Sequence, residues 1–98
     1  MSADSKDPDE IITVTFPFAG ELGVATLDAV DYVTITVIKG NDPSAGAMLN
    51  GAASIASADV LQSVRNGVDG NDYKLRCRAV LSDGRKLVRA IDLPVRAR

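Results

Sequence analysis

The sequence predicts an all-β protein, a two-sheet sandwich of about seven short strands. Three observations lead there. Apolar and polar residues alternate with period two, most clearly over residues 73–81. Turn formers such as Gly23, Gly40, Pro43, Gly67, Gly70 and Gly84 interrupt the chain at short intervals. The strongest run, Tyr32-Val33-Thr34-Ile35-Thr36-Val37-Ile38-Lys39, is rich in β-branched residues that suit a pleated surface.

Taken in order, residues 1–9 are polar and acidic and read as a flexible N-terminal arm, with Asp7-Pro8-Asp9 a turn before the first strand. Residues 10–98 read as one domain. The first strand runs from Glu10 to Phe18, with Ile12, Val14, Phe16 and Phe18 on one face. Pro17 lacks an N–H and marks an edge strand or a strand end. Ala19 to Gly23 is a turn and Val24 to Leu27 a short strand. Asp28 to Asp31 bends the chain into Tyr32–Lys39, whose Val33, Ile35 and Val37 face one way and whose threonines face outward. After the Gly40–Gly46 loop, Ala47 to Asn50 and Ser54 to Ser57 are further short strands.

Residues 59–66 admit two readings. As a helix, Ser57 caps, Val60, Leu61 and Val64 form a stripe, and Gly67 stops it. As a strand, Val60, Gln62 and Val64 oppose Leu61, Ser63 and Arg65. The β-rich context on both sides selects the strand.

The clearest element is the hairpin over residues 71–95. Tyr73, Leu75, Cys77, Ala79 and Leu81 form an apolar face; Lys74, Arg76 and Arg78 form a charged one. Two registers compete across Ser82-Asp83-Gly84. A two-residue loop puts Leu87, Ile91 and Leu93 on the charged face. A three-residue loop, with Gly84 in the left-handed bulge position, puts them with the apolar set. A one-residue slip would expose every apolar side chain, so the longer loop is selected. It sets Asp92 opposite Lys74 and turns Arg89 inward, toward the sheet rim or a subunit contact. At the entry to the hairpin, Asp69, Gly70 and Tyr73 have the arrangement of a tyrosine corner. There a tyrosine hydroxyl bonds back to upstream backbone, so the sandwich reads as immunoglobulin-like.

Composition restricts the chemistry. The chain has 98 residues, no histidine and one cysteine. A Ser-His-Asp or Cys-His centre cannot be built, nor a zinc site of the usual kind. An internal disulfide is excluded, and Cys77 reads as a buried, inert thiol. Asp69-Gly70-Asn71-Asp72 copies the start of a calcium loop but lacks its closing Glu. No glycine pattern forms a phosphate-binding loop. The expectation is a non-enzyme with no cofactor, metal or small-molecule substrate. No apolar run is long enough to span a membrane and no signal peptide is evident, so the reading is a protein made in a cytoplasm.

Charge is unevenly spread. Residues 1–31 carry seven acids and one base; residues 32–98 carry six acids and ten bases. Such asymmetry suits subunits that meet acidic end to basic face. The candidate interface residues are Lys6, Asp7 and Asp9 in the arm, Glu10 at the start of the first strand, and Lys74, Arg76, Arg78, Lys86 and Arg89 on the hairpin, while Tyr73, Asp69 and Gly84 are structural. Nucleic acid is a poorer fit to the basic stripe, because the overall balance is acidic and no aromatics interleave for base stacking.

Two stretches carry a family resemblance. Lys6-Asp7-Pro8-Asp9-Glu10, leading straight into a strand, resembles the N-terminal signature of tailed-bacteriophage fiber-tail adaptor proteins. Residues 67–88 with Leu93-Pro94-Val95-Arg96 resemble the C-terminal hairpin of the same proteins. The resemblance implies a virion structural protein, synthesised in the host bacterium. It would form a ring of its own copies at the tail or head–tail junction and dock fibers, portal or neighbouring tail proteins. A capsid decoration or head-completion protein with the same fold is the alternative. A carbohydrate-binding module is disfavoured by the few aromatics.

Overall fold

The computed structural model describes residues 5–98. It contains six strands, a short helix and a 3-10 turn: β1 (Ile12–Pro17), α1 (Ala19–Leu22), β2 (Leu27–Lys39), the 3-10 turn (Ala45–Met48), β3 (Ser54–Ala56), β4 (Asp59–Val64), β5 (Asp72–Leu81) and β6 (Lys86–Pro94). The strands form two antiparallel three-stranded sheets, ordered β1-β4-β3 and β2-β5-β6. No helix among the described residues is long and apolar enough to cross a membrane.

The hairpin has the register that the buried face requires. Lys74 pairs with Asp92, Leu75 with Ile91, Cys77 with Arg89 and Ala79 with Leu87. Gly84 takes the left-handed conformation, φ 89°, that the three-residue loop demands. Residues 59–64 are a strand, alternating half-buried and buried. Val60 and Val64 are fully buried, and so is nearly all of Gln62, whose amide donates to the carbonyls of Gly51 (3.0 Å) and Ser63 (2.9 Å).

The inner faces of both sheets meet in one core. Val14, Phe16 and Phe18 come from β1 and its end. Tyr73, Leu75, Cys77, Ala79 and Leu81 come from β5, and Ile91 and Leu93 from β6. Each large side chain buried this completely contributes roughly 1.5–3 kcal/mol of transfer free energy.

Three expectations change. The bend at 28–31 and the strand at 32–39 are one continuous β2 that starts at Leu27, and residues 24–26 of the strand expected over 24–27 are not strand. Its pairing with β5 shifts between Leu27 and Ala29, between Val30 and Tyr32, and between Val37 and Lys39. Asp28, Asp31 and Ile38 are the residues without a β5 partner, so the bulges absorb the acids that a regular ladder would exclude. Residues expected to form a strand at 47–50 are instead the end of the 3-10 turn, with only Leu49 bridging to Val64. The 19–23 turn contains α1.

Of the arm expected over residues 1–9, residues 1–4 lie outside those described. Lys6 already pairs in parallel with Val95: its N–H donates to Pro94 O at 2.9 Å, and its carbonyl accepts from Arg96 N–H at 2.8 Å.

Candidate interaction surface

The outer face of the β2-β5-β6 sheet displays the basic stripe, because alternation on central β5 turns Lys74, Arg76 and Arg78 away from the core. The three are not equivalent. The bulge at Asp31 aims that carboxylate at Arg78, whose Nε lies 2.7 Å and whose Nη2 lies 2.5 Å from Oδ2. Lys86 reaches the same oxygen at 3.9 Å. The Arg78 guanidinium also covers the Tyr32 ring, 4.8 Å from its centroid. Lys74 stands 3.9 Å from Asp92. Exposed pairs of this kind contribute little stability, up to about 1 kcal/mol each, but they do neutralise the surface.

Arg76 differs. Its Nη1 donates to the Tyr32 hydroxyl at 2.8 Å, and its guanidinium carbon is 5.9 Å from that ring's centroid. No carboxylate among the described residues pairs with it. Across the ladder its neighbours are Thr34 on β2 and Ala90 on β6, both small.

Arg89 points inward at the rim. Its Nε donates to Pro17 O at 3.2 Å, its Nη2 pairs with Glu21 at 2.7 Å, and its guanidinium lies 5.1 Å from the Phe18 ring centroid. It therefore ties β6 to the β1–α1 connection within one molecule.

The N-terminal candidates form a clasp. Lys6 is fully buried, so its expected role at an interface gives way to an internal one. Its ammonium donates to the carbonyls of Asn66 (2.7 Å) and Asp7 (2.8 Å), with that of Pro8 at 3.5 Å. Burial pushes its pKa down, and Glu10, Asp7 and Asp9 oppose that shift. Asn66 adopts a positive φ, 59°, in presenting its carbonyl. Asp7 and Glu10 cap the turn: Asp9 N–H donates to Asp7 Oδ1 at 2.8 Å and Asp7 N–H to Glu10 Oε1 at 2.7 Å. Those backbone bonds, followed by Arg98, hold both carboxyls below their usual range. Arg98 pairs with Glu10 and donates to Ser5 O at 2.6 Å. Among these candidates only Asp9 has an exposed carboxylate without an ion-pair partner among the described residues.

The structural residues hold the turns. Tyr73 is fully buried, and its hydroxyl accepts from Val68 N–H at 2.9 Å and donates to Asp42 Oδ2 at 2.8 Å. The expected bond back to upstream backbone is thus present. Asp69 accepts from Ala97 N–H at 2.8 Å. Asp72, its neighbour in the calcium-like run, pairs with Arg96 at 2.7 Å.

Sequence reasoning missed Asp31, Tyr32 and Arg98. The first two became visible only with the bulge that brings Asp31 to Arg78. Arg98 meets residues about ninety positions away, which no local pattern reports.

No curated protein and no solved structure matches the chain. The sequence model of one protein family does, over residues 6–94, from the buried lysine of the clasp to the end of β6, and its description is podophage GP4 fiber-tail adaptor protein gp77. The chain therefore belongs to the podophage fiber-tail adaptor family and is a structural component of a phage tail.

Proposed function

We propose that the protein works as the fiber-tail adaptor itself: several copies form a ring at the tail or its junction with the head, and the ring docks fibers or neighbouring tail proteins. It is made in the host bacterium and acts by contact, without turnover. The observation that carries this reading is the family match over nearly the whole chain. The outer sheet face supports it, because a guanidinium left without a carboxylate suits docking better than stability. The strand orders β1-β4-β3 and β2-β5-β6, with the Tyr73 bond at the β4–β5 corner, also support the immunoglobulin-like reading.

The test is location. Particles are assembled with an epitope tag on this chain and imaged with labelled antibody, beside particles lacking the chain. Label at the tail, together with loss of fibers when the chain is missing, is the expected result. Label spread over the capsid surface would refute the adaptor reading.

A further inference from the structure

We propose that Arg76 is the anchor of a head-to-tail contact between copies of this chain, and that it receives the carboxylate of Asp28 from the next copy. This rests on the ring reading above and names the residues that join its subunits.

The argument begins with what the fold leaves unpaired. Asp31 engages Arg78 and Lys86, Asp92 engages Lys74, and Glu21 engages Arg89. Of the hairpin's cations, Arg76 alone has no carboxylate partner among the described residues; its one partner is neutral, the Tyr32 hydroxyl. That hydroxyl accepts from Arg76 and keeps its own proton to donate. Guanidinium and phenol together therefore present donors suited to a carboxylate. Thr34 and Ala90 flank the site across the ladder and leave it approachable.

The acidic third of the chain supplies the matching group. Asp28 is exposed, has no ion-pair partner among the described residues, and stands at a bulge of β2 without a β5 partner. Four residues before it, Val24 is fully exposed, an apolar side chain that would help exclude water from a contact. Asp9 is the other exposed carboxylate without an ion-pair partner among the described residues of this third, but it sits in the turn whose Asp7 and Glu10 bind Arg98, so a cation already stands beside it.

The two groups cannot meet within one molecule. Thr34 is the β2 residue opposite Arg76, and six residues of strand separate it from Asp28, roughly 20 Å. The patches are different and lie apart on one sheet, so pairing them between copies is heterologous. Contacts of that type close into rings or run on as filaments. A nucleic acid backbone fits this face poorly, because Asp31 and Asp92 already neutralise Arg78 and Lys74 and leave no row of free cations along β5.

The experiment is sedimentation velocity on purified protein over a wide concentration range, with wild type, R76D and D28R, each checked for folding by far-UV circular dichroism. Wild type is expected to self-associate, less so as salt is raised. Each single variant should weaken association by more than about tenfold. An equimolar mixture of the two variants should recover it, since every junction then joins opposite charges. If either variant associates like wild type, or the mixture fails to recover, the Arg76–Asp28 contact is wrong while the ring reading stands. A wild type that stays monomeric throughout overturns both.

Discussion

Replacing Tyr73 by Phe removes one oxygen and leaves the ring in place, so its cost isolates the hydroxyl. That oxygen accepts from Val68 N–H and from Asn71 Nδ2 (3.3 Å), and it donates to Asp42. Asn71 keeps a second acceptor in Asn41 O at 3.0 Å, and the half-buried Asp42 can turn to water. The Val68 N–H loses its partner. A part-buried donor left without its partner costs toward the lower end of about 1–3 kcal/mol, and a hydrogen bond to a charged acceptor adds about 1.5 kcal/mol when lost. We expect Y73F to destabilise the fold by about 2–4 kcal/mol. At roughly 4–8 °C per kcal/mol for a domain of this size, the melting temperature should fall by at least about 8 °C. Urea denaturation followed by far-UV circular dichroism measures this directly, with an unchanged m-value. Y32F, at a half-buried tyrosine whose hydroxyl bonds only Arg76 on the exposed face, is the control and should cost under about 0.5 kcal/mol. A loss for Y73F no larger than that of Y32F would refute the reasoning, because the hydroxyl would then not hold the β4–β5 corner.

Three further outcomes follow from other sites. Lys6→Ala leaves three carbonyls around an empty space and should cost about 2–4 kcal/mol, with Lys6→Met milder because it refills the volume; chemical denaturation of both variants checks the order. Burial pushes the Cys77 thiol up from its ordinary value to about 11. Its contribution is therefore fully present below pH 9 and is lost as pH rises toward 11, up to about 3 kcal/mol. The buried Tyr73 hydroxyl, also pushed up, adds a loss of the same sign at higher pH. A urea midpoint that declines across that window in wild type but less steeply in C77A is the expected signature. Gly40 has φ 104°, and a Cβ there would fall 1.9 Å from Asn71 Oδ1, so G40A should destabilise by more than about 2 kcal/mol; a thermal melt with no shift would contradict the packing described.

How much of this was legible in the sequence varies by element. The hairpin register was readable because a single slip would have exposed Leu87, Ile91 and Leu93 together. Residues 59–64 were readable only through their neighbours, since local propensity leaned to helix and the pairing of Val60 with Phe16 decided otherwise. The length of β2 was hidden because Asp28 and Asp31 look like breakers, and a bulge accommodates each of them without ending the strand. Lys6 was hidden for a different reason. A lysine among four acids reads as solvated, and the Asn66 carbonyl that receives it comes from sixty residues away. On the basic stripe, four cations were visible. The distinction of Arg76 was not, because it depends on where the Asp31 bulge points.

The clasp also brings two distant stretches of the polypeptide, residues 5–10 and Arg98, side by side. The Arg98 guanidinium donates to Ser5 O and its backbone N–H to Asp7 Oδ2, so Ser5 and Arg98 stand at one corner. A circular permutant that links these positions and opens the chain at the Ser82–Gly84 loop would keep every strand pairing intact.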